Sequence, residues 1–185
     1  MAGRVCPWWL GYFHLGPIRR MLHNPEKILS PYVRRGMKVL DIGPGMGFFT
    51  LEMARLVGPE GMTVAIDLQP KMIRALERRA GRAGLADRID ARVCTAGDLG
   101  ADDLAGSIDF SIGFYVVHEV PDVSRFMQQV YALLVPAGKF LVVEPENHIS
   151  REDFELNIGT AREAGFSVIE RPEIRKSFSV LLVKS

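Results

Sequence analysis

Two cysteines, Cys6 and Cys94, are all that the 185 residues contain. Two thiols build no disulfide framework, so nothing in the chain calls for an oxidising compartment. Net charge is nearly missing too, since 23 Lys and Arg against 22 Asp and Glu leave a formal +1. That balance disfavours a nucleic-acid binder relying on bulk positive field. The group Arg74, Arg78, Arg79, Arg82 and Arg88 reads as a solvated helix face, and a nucleic-acid partner is not expected. No apolar run approaches the ~18–20 residues of a spanning helix, so no membrane partner is expected. The apolar stretch over residues 6–18 is interrupted by Pro7, Gly11, Gly16 and Pro17, and no small-x-small cleavage pattern follows. A signal peptide is therefore not expected, and the chain reads as cytoplasmic. With 48% hydrophobic residues and so little net charge, disorder is excluded. A chain this long buries roughly 70% of its unfolded surface and needs no staples.

From Lys38 to Glu144 the pattern alternates. Lys38-Val-Leu-Asp41 is a short buried run ending at glycines 43, 45 and 47. Apolar residues from Phe48 to Val57 fall at helical spacing, with Gly58 at the stop position. Thr63–Asp67 reads as a second strand, and Pro70 opens a helix carrying Met72, Ile73, Leu76 and Ala80. Ile89–Cys94 and Ser107–Phe114 read as the third and fourth strands. Asp122 caps a helix with Val123, Phe126, Met127, Val130, Tyr131, Leu133 and Leu134 on its apolar face. Pro136-Ala-Gly138 turns into a fifth strand, Lys139–Glu144. Ser150 caps a helix to Glu163, and the runs Ser167–Glu170 and Phe178–Val183 follow. Strands separated by helices predict an α/β, Rossmann-like three-layer sandwich around a mostly parallel sheet. The last two runs are too close for a crossover and should pair antiparallel, giving seven strands in all. Residues 1–185 form one domain in this reading, with a short N-terminal helical cap over 1–36 and a core over 37–185. The cap carries an aromatic cluster, Trp8, Trp9, Tyr12 and Phe13, read either as a lid over the pocket or as a contact that docks the N-terminus on the core or joins an oligomer.

The glycine turn sits where a strand meets a helix, where the main chain can approach a ligand closely and unpaired N–H groups carry partial positive charge. Twenty residues beyond Gly47, Asp67 ends the second strand, where a carboxylate can accept two hydrogen bonds from vicinal ribose hydroxyls. Together they indicate a nucleoside-containing cofactor. Phe48 stands where a dinucleotide fingerprint needs Gly or Ala, and no Tyr-x-x-x-Lys occurs in the chain. Asp41 at the turn also favours an ammonium over a diphosphate.

The segments Val39–Thr50, Val64–Asp67, Ile108–Glu119 and Leu133–Glu144 resemble motifs of the class I S-adenosylmethionine-dependent methyltransferases. The resemblance covers about residues 37–185 and is nearest to the small-substrate, ubiquinone/menaquinone methyltransferase-like branch. It implies transfer of a methyl group to a small-molecule acceptor by in-line displacement, with S-adenosylhomocysteine as product. It also implies cofactor contacts from Asp41, Gly43, Pro44, Gly45 and Gly47 for the methionine part, Asp67 for the ribose and Leu68 for adenine. Gly97 and Asp98 share the corner after the third strand: Asp98 could meet the adenine amino group, or Gly97 could do so through its backbone. Phe114 is expected near the sulfonium.

Methyl transfer asks mainly for alignment and exclusion of water, and for a general base only where the acceptor must lose a proton. Tyr115 and His118, just after the fourth strand, are the catalytic candidates, with Glu119 beside them; His118 could equally be a local packing residue. No metal is expected, since Phe114 and Tyr115 stand where a magnesium-dependent catechol methyltransferase would want an acid. The chain lacks the Asn/Asp-Pro-Pro-aromatic and Pro-Cys signatures of DNA base methylation. Two alternatives stay open: an NAD(P)-dependent oxidoreductase, and a non-catalytic S-adenosylmethionine-binding partner subunit.

Overall fold

The computed structural model describes residues 22–185. The aromatic cluster at 8–13, Cys6 and the 6–18 apolar stretch lie outside the described residues. The chain divides between Cys94 and Thr95 into two compact units.

In the first unit, β1 (Lys38–Ile42), β2 (Met62–Asp67) and β3 (Ile89–Val93) form a parallel group with β2 in the middle. The β-branched and aliphatic runs of β1 and β2 are buried almost end to end, as a parallel sheet covered on both faces requires. Asn24 caps α1 (Pro25–Leu29), accepting the Lys27 N–H at 3.3 Å. The crossover helices are α2 (Thr50–Val57) and α3 (Pro70–Ala83). Their inward stripes, Leu51, Ala54, Leu76 and Ala80, pack with Ala65 of β2 and Leu85. Helix α2 starts at Thr50 rather than Phe48, because the tight turn closed by the Gly47 N–H on the Pro44 carbonyl takes up the preceding residues. Cys94 falls just past β3 and is half-buried, not within the strand.

In the second unit, β4 (Ile108–Phe114) and β5 (Leu134–Pro145) run parallel, and β7 (Ser177–Lys184) pairs antiparallel with both β5 and β6 (Phe166–Glu170). The hairpin is therefore formed as expected. Strand β5 starts five residues earlier than Lys139: the expected Pro136–Gly138 turn is a bulge, with Ala137 at φ 61 and the register slipping opposite Ile108–Phe110. A second slip, between Val168 and Glu170 of β6, leaves Ile169 50% exposed. Asp122 and Ser150 cap α4 (Val123–Leu133) and α5 (Arg151–Glu163) by accepting the backbone N–H groups of Arg125 and Asp153. Phe110, Phe140, Phe154 and Met127 fill the core. No helix among the described residues is long and apolar enough to cross a membrane.

Candidate active site

The glycine turn of the first unit joins β1 to α2. Gly43, Gly45 and Gly47 all have positive φ, at 68°, 55° and 82°. At Gly45 this opens space: a Cβ there would meet nothing within 4 Å. At Gly47 the reason is packing, since a Cβ would lie 2.3 Å from Leu76 Cδ1. Three bonds fix the turn from outside. The Gly43 N–H donates to the Ile66 carbonyl, the Gly45 N–H donates to Asp67 Oδ2 at 3.1 Å, and the Arg79 guanidinium donates to the Met46 carbonyl. Arg79 is thus half-buried and tied to the turn instead of lying on a solvated face. Burial, and secondarily the charge of Arg55, lower its pKa.

Asp67 ends β2 and is 8% exposed. Its Oδ1 accepts the Gln69 N–H at 2.8 Å. Burial raises its pKa above the ordinary carboxylate value, and the two amide bonds offset this only in part. A carboxylate offers about four lone-pair sites, so two of them are left for donors arriving from outside. Leu68, next in the chain, is partly exposed beside it. Pro44 is buried. Asp41 is 2% exposed, and its Oδ2 accepts the Thr50 hydroxyl at 2.6 Å, tying the end of β1 to the start of α2.

In the second unit, Gly97 and Asp98 sit in an exposed turn bridged between Thr95 and Asp98. Asp98 Oδ1 accepts the Gly100 N–H at 2.8 Å. Gln129 of α4, which sequence reasoning missed, clamps this turn: its amide donates to the Gly97 carbonyl at 3.0 Å and accepts the Leu99 N–H at 2.8 Å.

Phe114 is the buried last residue of β4, and its ring lies 4.5 Å from that of Tyr115. Tyr115 has φ 65, an uncommon backbone state for a bulky residue that costs on the order of 1–3 kcal/mol and clusters at functional sites. Its N–H donates to the Val143 carbonyl, and its hydroxyl shares a 2.8 Å hydrogen bond with Ser177 Oγ. His118 follows in a 3-10 turn, its ring 18% exposed and hydrogen-bonded through Nδ1 to Glu144 Oε2. Burial pushes the His118 pKa down, but the hydrogen bond and charge of Glu144, with the charge of Glu119, push it further up, for a net rise above 6.5. The structure therefore joins Tyr115 to Ser177, and His118 to Glu144 and His148, pairings that single-sequence spacing does not show. Among the described residues no cluster of His, Cys, Asp or Glu is placed to hold a metal ion.

A glycine turn held to a strand-end carboxylate is the arrangement that receives a ribose in nucleotide-binding βαβ units. A family model described as a methyltransferase domain matches residues 34–175, and the chain belongs to that family. Several of its curated relatives are named for ubiquinone or menaquinone biosynthesis. It is 30% identical over 112 residues to the ubiquinone/menaquinone biosynthesis C-methyltransferase UbiE of Pasteurella multocida, covering 60% of this chain and 41% of that one. It is 33% identical over 140 residues to the ubiquinone biosynthesis O-methyltransferase of Xanthomonas axonopodis, covering 73% and 54%. The chain thus spans about half the length of the curated relatives it matches. A SAM-dependent methyltransferase from Aquifex aeolicus superposes with a TM-score of 0.87 at 22% identity, over 98% of this chain and 100% of that one. That likeness shows the fold, a Rossmann-like α/β sandwich whose seven-stranded, mostly parallel sheet ends in an antiparallel hairpin.

Proposed function

We propose that the chain is a methyltransferase that takes S-adenosylmethionine as methyl donor and a small molecule as acceptor, with residues 1–185 acting as one domain. The carrying observation is the Asp67 carboxylate, fixed by two backbone amides beside the open space at Gly45. A ribose diol fits the two lone-pair positions left on that carboxylate, and the turn offers room where the cofactor's methionine chain would lie. When bound, S-adenosylmethionine supplies an electrophilic methyl group on a sulfonium. Asp67 would hold the ribose, Leu68 would pack on adenine, and Gly43–Gly47 would give main-chain contacts. Asp41 would act on the amino-acid end through its field, since Thr50 holds its carboxylate inside. Gly97 or Asp98 would meet the adenine amino group, and Phe114 would bound the reacting carbon. Tyr115 and His118 would serve the acceptor. The similarity to enzymes named for ubiquinone and menaquinone biosynthesis supports a small acceptor, and Phe48 at the position where a dinucleotide fingerprint needs Gly or Ala disfavours an oxidoreductase. The presence of only two cysteines supports a cytoplasmic location.

Calorimetric titration with S-adenosylhomocysteine and NADH in parallel tests this. Binding of the first alone is expected, and Asp67→Ala should weaken it by ~1–3 kcal/mol through loss of the ribose hydrogen bonds. Binding of NADH alone, or a Kd untouched by Asp67→Ala, would refute the reading.

A further inference from the structure

The inference concerns the acceptor side and rests on the methyl-transfer reading above. Glu144, near the end of β5, has no exposed surface. A carboxylate sealed from water must find its donors in the protein. Oε1 accepts the N–H groups of Val116 at 3.1 Å and Val117 at 2.9 Å, and Oε2 takes the His118 backbone N–H at 3.4 Å together with the His118 ring. The turn after β4 is thereby wrapped around one carboxylate. Because a carboxylate only accepts, ring Nδ1 carries the hydrogen, and the neutral imidazole keeps its lone pair on Nε2. The acidic oxygen nearest Nε2 is Glu119 Oε1 at 4.0 Å, beyond hydrogen-bond reach. His148, from the segment after β5, lies edge-on to the ring at 5.7 Å, and Tyr115 is engaged with Ser177. Among the described residues, Glu144, Glu119 and His148 are thus the titratable groups that face this imidazole.

We propose that Glu144 is a positioning residue that orients His118 as general base through Nε2, and that the acceptor carries a hydroxyl of phenolic or enolic type. A thioether or tertiary amine attacks a sulfonium methyl with no proton to lose, and would leave such a base idle. With a hydroxyl acceptor, the O–H proton passes to Nε2 as the oxygen bonds the methyl carbon. The carbon–sulfur pair stays on sulfur, and the imidazolium later releases its proton to water.

The test uses the full chain, the variants Glu144→Gln, Glu144→Asp and His118→Asn, and 15N-histidine NMR. In the wild type, His118, assigned by its loss in His118→Asn, should show the Nδ1–H tautomer. In Glu144→Gln its titration midpoint should fall, since the hydrogen bond and charge that raise it are lost. S-adenosylhomocysteine affinity should stay within about twofold in all variants, while kcat on catechol falls by roughly 10²–10⁴ in His118→Asn with little change in KM. The acidic limb of the Glu144→Gln pH–rate profile should move to lower pH, and Glu144→Asp should recover part of the loss. A wild-type Nε2–H tautomer, a titration that Glu144→Gln leaves in place, or turnover confined to tertiary amines and thioethers would overturn the proposal. A wild type that binds no S-adenosylhomocysteine would overturn the donor reading instead, and the NMR titration would still decide the His118–Glu144 pairing.

Discussion

Replacing Thr50 with Val removes one hydroxyl at nearly constant shape. That hydroxyl donates to Asp41 Oδ2 at 2.6 Å between residues 0% and 2% exposed. A hydrogen bond to a charged group contributes about 1.5–3 kcal/mol. Both side chains are β-branched, so the change in helix propensity is at most a few tenths of a kcal/mol. The expected cost is about 2 kcal/mol. With a urea slope of roughly 2–3 kcal/mol per molar for a chain of this size, the unfolding midpoint should drop by about 0.7–1 M with the slope unchanged. Urea titration followed by far-UV circular dichroism measures it. Thr50→Ser, which keeps the hydroxyl, should recover most of the loss. A cycle with Asp41→Asn should give a coupling of about 0.5–3 kcal/mol. If Thr50→Val unfolds at the wild-type midpoint, or if Ser behaves like Val, the bond does not tie β1 to α2 and the reasoning fails.

Gly47→Ala should cost about 2–4 kcal/mol, because it combines positive φ with a contact on the fully buried Leu76. Gly45→Ala, strained but in open space, should cost only about 1 kcal/mol while abolishing cofactor binding. Thermal melts and calorimetry on the pair test this, and the opposite ranking in stability would refute it. Arg79→Met keeps an apolar stem but frees the Met46 carbonyl. Stability should change by less than about 1 kcal/mol as the desolvation of the guanidinium is relieved, while S-adenosylhomocysteine affinity falls by about 3–10-fold. An unchanged Kd would show that the turn holds its shape unaided. The His118 pKa is raised by folding, so its contribution to stability is complete below 6.5 and fades as pH rises through the higher folded value. Urea midpoints at pH 6 and pH 8.5 should therefore fall more for the wild type than for His118→Asn, and equal losses would contradict this.

What the sequence made legible was local. Alternation of buried runs with helical stripes placed β1 to β4 and α3 to α5, and the caps Asp122 and Ser150 are in their expected roles because capping reads over three residues. The glycine turn and Asp67 were visible together because one βαβ unit contains both. Glu144 as the partner of His118 was not visible. That contact spans 26 residues, and it depends on the β4–β5 register, in which Phe114 lies opposite Val143. The Arg79–Met46 and Gln129–Leu99 ties, 33 and 30 residues apart, escaped for the same reason. Helical periodicity says which way a side chain faces, not which carbonyl it meets. The early start of β5 was hidden by Pro136 and Gly138, which signal a turn equally well when the turn is a bulge inside a strand.

The slip along β6 bears on how copies of the chain meet in solution. Among the described residues of its unit this strand pairs only with β7, and it is five residues long. A foreign strand approaching its outer rim would find amides and carbonyls out of step after Val168, and a carboxylate at Glu170 in place of a continued ladder. Ile169 is left as a single apolar point with no regular backbone template around it, so this rim resists the edge-to-edge growth that leads to fibres.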